Sequence, residues 1–405
     1  MNLLLLSDVY FPRVNGVSTS IRTFAKTLAR MGHSVTIVAP EYPAAGTVAE
    51  GDGDFEVIRL ASRRVFFDPE DRLIRGAALR EGLRLLAQRH WDVIHIHTPF
   101  RAHQLGVRLA RLTGRPTVET YHTHFEEYAE LYLPWLPKSL LRWTVRRLSR
   151  RLCHEVDHLI VPTEQMVAVL DGYGIDTQRT VIPTGIDLAE FTGGLGPRFR
   201  REHGLAAERP TLVTVSRLAR EKHIPFLLEV AHRLLPEFPN LAFIIAGEGP
   251  DAERLSKLVA RRGLGQTVRF VGNLPRADAL LDCYRAGDVF VFASPTETQG
   301  LVLVEAMALG LPIVSTAVLG TAAVLAHARG ARISREDPAA FAAHVAALLR
   351  SPQQRVMLSR ASWLDARAWD ADRWMGRVVR LYSRLASLAD AAHATSPSVC
   401  VRLGP

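Results

Sequence analysis

Cysteine is scarce in this 405-residue chain, and long apolar stretches are missing. The three cysteines, Cys153, Cys283 and Cys400, include no Cys-x-x-Cys pair, so we expect neither a disulfide framework nor a thiolate metal site. No segment approaches about 18 uninterrupted apolar residues, which predicts that the chain does not span a bilayer. The leucines before Asp8 are too few for a signal-peptide core. A cytoplasmic protein is therefore expected.

The charge is carried almost entirely by arginine. Only four of the 50 Lys and Arg residues are lysines, and against 41 Asp and Glu they give a formal net charge of +9. This balance permits anionic partners without identifying them. The densest stretch, residues 138–151, has six cations and no anion. Aromatic and basic residues are not interleaved as a nucleic-acid platform requires, so we expect no nucleic-acid partner.

Short apolar runs alternate with segments of helical spacing along most of the chain. Runs that are rich in Val and Ile and do not alternate are typical of parallel strands buried on both faces. They lie at 3–6, 35–39, 93–97, 117–120, 158–162 and 180–183, then at 211–216, 241–246, 268–271, 289–293 and 312–315. This pattern predicts an α/β protein with two doubly wound domains.

The boundary between the two arrays is marked by the Gly- and Pro-rich segment 191–199. We therefore predict an N-terminal domain over 1–188 and a C-terminal domain over 189–365. A helix over 366–392 is expected to pack back toward the first domain, and 393–405 is expected to be a loose tail. In open parallel sheets, ligands bind at the carboxyl ends of the strands, so the loops there should carry the chemistry.

Several short strings look like metal sites. His154-Glu155-Val156-Asp157-His158 fits a zinc-protease pattern, but we expect its helix to end before His158. The other candidates are the pairs His95/His97 and His122/His124, and the strings Asp52-Gly53-Asp54 and Asp370-Ala371-Asp372. We interpret these strings as turn, strand and surface residues and predict no metal. A metal-dependent hydrolase built on the histidine pairs remains the distant alternative.

Two loops after strands look suited to a phosphate group. Gly16 lies where the first strand turns into a helix, which we expect to begin near Ser18, and glycine there would let backbone N–H groups approach an anion. Arg217 and Lys222 follow strand 211–216, and a forked guanidinium with a compact ammonium suits a diphosphate. A plain turn and solvated surface charges are the alternatives.

The most specific string follows strand 289–293. Glu297 comes at the strand end, Gln299 to Leu301 are expected to open a helix with free N–H groups, and Glu305 lies inside that helix. With this string, the chain resembles glycosyltransferase family 4, retaining enzymes with the two-Rossmann GT-B fold. The resemblance covers about residues 1–390 and rests on PTGID, SRLAREK, GEGP and ETQGLVLVEAMALGLP, which has the family's Glu-x7-Glu signature.

The resemblance implies a role for each matching residue. Glu305 would hold the nucleotide ribose, while Arg217 and Lys222 would hold the donor diphosphate. The implied catalytic residues are His122, Glu297, Arg217 and Lys222, and the implied donor-binding residues are Gly16, Arg217, Lys222, Glu297, Gln299, Gly300, Leu301 and Glu305. The segment 317–325 departs from the Gly-Gly-x-Pro-Glu loop of many relatives, which leaves its donor contacts open.

The implied reaction is transfer of a hexose from a nucleotide diphosphate sugar, with retention and without a metal or other cofactor. The chain looks most like the branch that makes α-glucosyl diacylglycerol. UDP-glucose is thus the first choice of donor and 1,2-diacylglycerol the first choice of acceptor. GDP-mannose, with a lipid or glycan acceptor, is the second choice.

A lipid acceptor would bring the enzyme to the inner face of the cell membrane. On a helical wheel of 138–152, Leu141, Val145, Leu148 and Leu152 share one narrow arc. This basic amphipathic pattern predicts peripheral docking on an anionic membrane surface, although the apolar stripe could instead pack on the first domain. The docking cations would be Lys138, Arg142, Arg146, Arg147, Arg150 and Arg151.

Overall fold

The first half of the chain forms a seven-stranded parallel sheet. The computed structural model describes residues 1–42, 54–65, 71–122 and 136–395. The sheet has the order β3-β2-β1-β6-β7-β8-β9. Its strands are β1 (Asn2–Leu6), β2 (Ser34–Pro40), β3 (Glu56–Leu60), β6 (Val93–Ile96), β7 (Thr117–Thr120), β8 (His158–Val161) and β9 (Arg179–Val181). An antiparallel hairpin, β4 (Ser62–Arg64) with β5 (Arg72–Ile74), follows β3.

The second half forms a six-stranded parallel sheet with the order β12-β11-β10-β13-β14-β15. Its strands are β10 (Thr211–Val215), β11 (Ala242–Ala246), β12 (Val268–Gly272), β13 (Val289–Phe292), β14 (Ile313–Thr316) and β15 (Ala331–Ser334). β11 and β13 are buried along their whole length, as expected of strands covered on both faces. The predicted pair of doubly wound sheets is confirmed.

Helices cover both faces of the two sheets. In the first half they are α1 (Gly16–Arg30), α2 (Gly76–Ala87), α3 (Arg101–Thr113), α4 (Lys138–His154) and α5 (Glu164–Gly172). In the second half they are α6 (Gly196–Glu202), α7 (Ile224–Leu234), α8 (Ala252–Arg261), α9 (Ala279–Ala286), α10 (Leu301–Ala308), α11 (Gly320–Leu325), α12 (Pro338–Arg350), α13 (Pro352–Asp365) and α14 (Ala371–Thr395). None of these helices is long and apolar enough to cross a bilayer.

The chain crosses between the two sheets twice, and the two crossings are bonded to each other. The Ile186 N–H donates to the Trp369 carbonyl at 2.8 Å, and the Ala371 N–H donates to the Ile186 carbonyl at 2.9 Å. Gly185 lies so close that a Cβ atom there would be 2.6 Å from the Ala371 Cα. The crossings therefore form one narrow connection, which places α14 beside the first sheet.

The long C-terminal helix α14 packs on α1 and the first sheet. Met375, Val378 and Tyr382 are buried in one cluster with Phe24 and Leu5. The Tyr382 hydroxyl lies 2.5 Å from Nδ1 of His95 on β6. Burial of a tyrosine ring stabilises the fold most when its hydroxyl also has a hydrogen-bond partner, and His95 is that partner here.

Two strands of the sheets, β3 and β15, were not predicted. Both lie at sheet edges, and neither is a continuous apolar run: β3 reads Glu56-Val-Ile-Arg-Leu60 and β15 reads Ala331-Arg-Ile-Ser334. An edge strand is paired on one side only and tolerates charged residues, so a search for uniform apolar runs misses it.

Candidate active site

Lys222 and Glu297, predicted to lie in one site, are in direct contact. Lys222 ends a short 3-10 helix after β10, and Glu297 follows β13, so two parallel strands bring them to one edge. Lys222 Nζ donates to Glu297 Oε1 at 2.5 Å, and both side chains are largely buried. A paired, partly desolvated cation and carboxylate at the carboxyl ends of strands form the centre of this candidate site.

The loop that carries Arg217 is braced by two glycines of the GEGP string. A Cβ atom at Gly247 would lie 2.0 Å from the Ser216 carbonyl oxygen, and one at Gly249 would lie 2.4 Å from the Leu218 carbonyl oxygen. Both glycines also have positive φ angles, 128° and 156°. Only glycine fits at these positions, so GEGP fixes the half-buried Arg217 at the end of β10.

Gln299 joins the two halves of the chain. Its Nε2 donates to the Thr184 carbonyl at 2.6 Å, and its Oε1 accepts from the Thr184 N–H at 2.9 Å. The next residue, Gly300, has a φ of 89° and precedes α10, which begins at Leu301 with no side-chain cap. The predicted helix start with uncapped N–H groups is therefore present beside Glu297. Thr184, in the PTGID string, is a contact that sequence reasoning missed.

Glu305 is buried on α10 with both carboxylate oxygens bonded. Arg276 Nη2 donates to Oε1 at 2.7 Å, and the Tyr284 hydroxyl donates to Oε2 at 2.9 Å. The pKa of Tyr284 is raised well above its ordinary value, mainly because the hydroxyl is buried and next because Glu305 is negatively charged. Neither partner was predicted, because Arg276 and Tyr284 belong to no recognised string and reach Glu305 only through the fold.

The divergent segment 317–325 packs directly under the Glu297 segment. The Gly320 N–H donates to the Glu297 carbonyl at 2.8 Å, and a Cβ atom at Gly320 would lie 2.2 Å from the Thr298 carbonyl carbon. Leu319 just before it has a φ of 48°, which is rare for a side chain of this size. The close packing of Gly320 against the Glu297 segment therefore holds Leu319 in a strained conformation.

His122 follows β7 and belongs to a buried histidine cluster. Its Nε2 lies 3.0 Å from Nδ1 of His97, and the rings of His97 and His95 are 4.0 Å apart. Burial lowers the pKa of His122 to about 4, and burial together with neighbouring histidines holds those of His95 and His97 well below the ordinary value. All three are neutral near pH 7. The His122 carbonyl accepts from Thr298 Oγ1 at 2.8 Å, so the cluster adjoins the Glu297 segment.

Gly16 differs from its predicted setting, because it is the first residue of α1 rather than part of the preceding loop. Asn15 caps the helix, with Oδ1 accepting from the Ser18 N–H at 2.8 Å, and an Asn cap starts a helix earlier than apolar spacing alone suggests. A Cβ atom at Gly16 would meet nothing within 4 Å, and its φ is not positive. Neither packing nor backbone geometry therefore requires glycine there.

Among the described residues, no group of His, Cys, Asp or Glu side chains is arranged so that it could hold a metal ion. α4 ends at His154 while His158 begins β8, as expected. His95 is bonded to Tyr382 and to Thr120, whose Oγ1 lies 2.7 Å from its Nε2. Asp372 pairs with Arg30 on the surface. His124, Asp52 and Gly53 lie outside the described residues.

Most of the apolar stripe predicted on helix α4 faces the protein instead of the solvent. Leu141 is buried and Val145 and Leu152 are half-buried, so this part of the stripe faces the protein. The residues that are apolar and exposed are Leu140, Trp143 and Leu148, at 50%, 59% and 53%. A wheel places residues relative to one another but does not say which arc meets the sheet. The exposed apolar surface therefore consists mainly of residues outside the predicted stripe.

The cations of α4 that were predicted to dock on a membrane have different partners in the structure. Arg150 Nε donates to the Gly174 carbonyl at 3.0 Å, and the Arg146 guanidinium lies over the Tyr173 ring. Arg147 lies over the Trp143 ring, and Arg151 pairs with Glu155 at 3.2 Å. Lys138 and Arg142 are exposed at the start of the helix. Arg147 therefore lies against the exposed Trp143, and Arg151 follows the exposed Leu148 by about one helical turn.

Comparison with known proteins gives this arrangement a family. Residues 14–190 match Glycosyltransferase Family 4, and residues 197–363 match Glycosyl transferases group 1. The chain is 32% identical to an alpha-monoglucosyldiacylglycerol synthase of Streptococcus pneumoniae over 78% of its own length and 71% of that protein's. It is 30% identical to the synthase of the same name from Acholeplasma laidlawii, over 78% and 80%.

The fold has a close counterpart among solved structures. A sucrose-phosphate synthase from Thermosynechococcus elongatus superposes with a TM-score of 0.78 at 21% identity, covering 96% of this chain and all of the other. This likeness confirms the predicted GT-B arrangement of two parallel sheets. The chain belongs to glycosyltransferase family 4 and is an enzyme of the hexosyltransferase type.

Proposed function

We propose that this enzyme transfers glucose from UDP-glucose to the free hydroxyl of 1,2-diacylglycerol, with retention, at the cytoplasmic surface of the membrane. The observation that carries the proposal is the contact of Lys222 with Glu297, next to the uncapped start of α10 and to Thr298, which bonds to the His122 carbonyl. The sequence identity of 32% and 30% to two alpha-monoglucosyldiacylglycerol synthases supports this choice of sugar and acceptor. We assign the acceptor to residues 1–188 and the donor to residues 189–365, with helix α14 of the segment 366–392 packed on the first domain.

The donor would lie with its diphosphate on Arg217, Lys222 and the start of α10. Forked and compact cations together match the two phosphates, and free N–H groups at a helix start favour an anion. Gly16 would contribute from the first sheet: a Cβ atom there would meet nothing within 4 Å, so the start of α1 is open to the approach of a ligand. Glu305, fixed by Arg276 and Tyr284, would accept from the ribose hydroxyls.

Transfer would proceed from the front face, with the departing diphosphate accepting the proton of the attacking hydroxyl. The bond from the anomeric carbon to the diphosphate oxygen breaks while the new bond to the acceptor oxygen forms. Negative charge would develop on the diphosphate, where Arg217 and Lys222 would stabilise it. Fixed cations then supply the stabilisation that a metal supplies in other enzymes, so we propose no cofactor.

The membrane contact would be the outer face of α4, defined here as Leu140, Trp143, Arg147, Leu148 and Arg151. Exposed Leu and Trp beside cations favour the boundary between lipid headgroups and acyl chains. Each cation near an anionic surface contributes about 1 kcal/mol, an attraction that salt screens while the apolar contribution persists. An acceptor that stays in the bilayer requires such a surface contact.

The function is tested with a panel of UDP-glucose, GDP-mannose and other nucleotide sugars, with diacylglycerol in detergent micelles. We expect a hexosyl diacylglycerol product from UDP-glucose, identified by mass.

Glu297→Ala should lower transfer by at least about 100-fold, the loss typical of one preorganised polar group. The control is Glu253→Ala, which removes an exposed carboxylate paired with Lys257 on α8. Product from GDP-mannose alone would reject the glucose assignment.

Lys222→Ala should weaken UDP binding by about tenfold or more, because a charge-assisted hydrogen bond to the diphosphate is lost. Calorimetric titration with UDP measures the effect. Lys257→Ala is the matched control, since Lys257 is also paired with a glutamate but is exposed on α8. Equal UDP affinity in the parent and the Lys222 variant would remove Lys222 from the donor site.

His97→Leu should lower kcat by about tenfold with little change in KM, because His122 loses the partner that orients its ring. His97→Asn keeps an amide near the position of Nδ1 and should recover part of the rate. His158→Leu is the control. This buried histidine bonds to Thr180, and it begins β8, whereas His97 and His122 follow the carboxyl ends of their strands. Equal losses in the Leu and Asn variants would mean that His97 only fills space.

Flotation with anionic liposomes tests the outer face of α4. The parent should float at low salt, less so as salt rises, and Trp143→Ser/Arg147→Gln should abolish flotation. The matched control is Trp363→Ser/Arg367→Gln on the second half, where an arginine also lies over an exposed tryptophan. If both double variants float like the parent, α4 is not the membrane contact.

A further inference from the structure

Tyr382 brings a hydroxyl from the C-terminal helix into the buried histidine cluster of the first sheet. It lies on α14, which begins at Ala371, where the two crossings between the sheets are bonded to each other. The side chain is fully buried, and its hydroxyl oxygen lies 2.5 Å from Nδ1 of His95. Burying a hydroxyl costs free energy unless it finds a partner, so this bond is what makes a tyrosine tolerable at such depth.

The direction of this hydrogen bond follows from the partners of the two groups. Among the described residues, the Tyr382 hydroxyl has no second hydrogen-bond partner, so its proton would be buried without an acceptor if His95 were the donor. Burial raises the pKa of Tyr382 well above its ordinary value, so the hydroxyl keeps its proton. Tyr382 therefore donates to Nδ1 of His95. Neutral His95 then carries its proton on Nε2, which donates to Thr120 Oγ1 at 2.7 Å.

The ring of His95 is packed in turn against the ring of His97. His95 lies on β6 and His97 comes two positions later, so both side chains point to the same face of the sheet. Their ring centroids are 4.0 Å apart, and the Phe24 ring of α1 lies 5.5 Å from each. Buried rings in contact do not turn independently, because protein interiors are close-packed. The orientation of His95 therefore restricts that of His97.

His97 depends on this packing because it has few polar contacts. Its Nδ1 lies 3.0 Å from Nε2 of His122, while its own Nε2 is buried and has no hydrogen-bond partner among the described residues. A single hydrogen bond does not define the plane of an imidazole ring, so the rings of His95 and Phe24 must define it. The nitrogen of His97 that meets His122 is thus held in place by a series of contacts that begins at the Tyr382 hydroxyl.

We propose that Tyr382 is a positioning residue for His122, acting through the ring of His95 and then that of His97. The proposal rests on the proposed function insofar as His122 takes part in the transfer. Helix α14 follows the second sheet in the chain and packs on the first. An element from beyond the donor-binding half therefore completes the histidine cluster of the other half.

Steady-state kinetics with UDP-glucose and diacylglycerol micelles test the proposal. Tyr382→Phe removes the hydroxyl and keeps the ring, and it should lower kcat about fivefold with little change in either KM, the effect of losing one neutral hydrogen bond. The control is Val378→Ala, which opens a cavity in the same buried cluster without removing a polar contact. It should lower the unfolding temperature at least as much and keep kcat. Equal losses of kcat in the two variants would mean that Tyr382 only packs.

The His97→Leu background tests the path through His97. Because the path is already broken there, adding Tyr382→Phe should lower kcat less than about twofold. The same fivefold loss in both backgrounds would show that Tyr382 acts independently of His97 and would reject the proposal.

Nitrogen-15 spectra of the histidine rings test the same contacts without any substrate. Single His→Gln variants assign the signals of His95, His97 and His122. In Tyr382→Phe, the Nδ1 signal of His95 should move toward that of an unbonded nitrogen, and the ring signals of His122 should shift, whereas Val378→Ala should leave both in place. Unchanged His122 signals in Tyr382→Phe reject the proposal. Failure of UDP-glucose as a donor would overturn the proposed function alone, because these spectra need no donor.

Discussion

The candidate site depends on the hydrogen bonds that tie the Glu297 segment to the first half of the chain. Gln299 exchanges two bonds with the backbone of Thr184, and Thr298 donates to the His122 carbonyl. Thr163 Oγ1 in turn donates to the Thr298 carbonyl at 3.2 Å. Each bond contributes only about 1 kcal/mol, but together they fix two consecutive residues, Thr298 and Gln299, against the first half of the chain. Glu297 and His122 therefore keep a defined relation across the interface.

Glycine makes this close packing possible. Gly320 presses against the backbone of Thr298, and Gly185 against that of Ala371, at distances where no Cβ atom fits. The segment that departs from the family pattern thus keeps a bracing role that depends on one glycine rather than on the missing Pro-Glu. A strained residue, Leu319, precedes Gly320, which indicates that tertiary contacts outweigh local backbone preference there.

The sequence predicted what depends on short-range patterns. Buried strands read as apolar runs, and the family resemblance placed Lys222 and Glu297 in one site, both in loops that follow strands. Long-range pairings could not be predicted: Arg276 reaches Glu305 across 29 positions, and Thr184 reaches Gln299 across 115. The direction of α4 was also beyond reach, because spacing defines a stripe while only packing decides which stripe is buried.

The histidine cluster bears on where the acceptor proton can go. A group whose pKa lies near 4 is a weak base, and a proton on His122 would place a positive charge beside the buried rings of His97 and His95, whose pKa values are also lowered. Efficient proton transfer needs a base whose pKa is near the working pH, so His122 is poorly suited to accept the proton at neutral pH. As a neutral ring held by His97 it can instead donate or accept one hydrogen bond at a fixed position. In the proposed reaction the cations of the second half would stabilise the diphosphate, and the diphosphate itself would be the base.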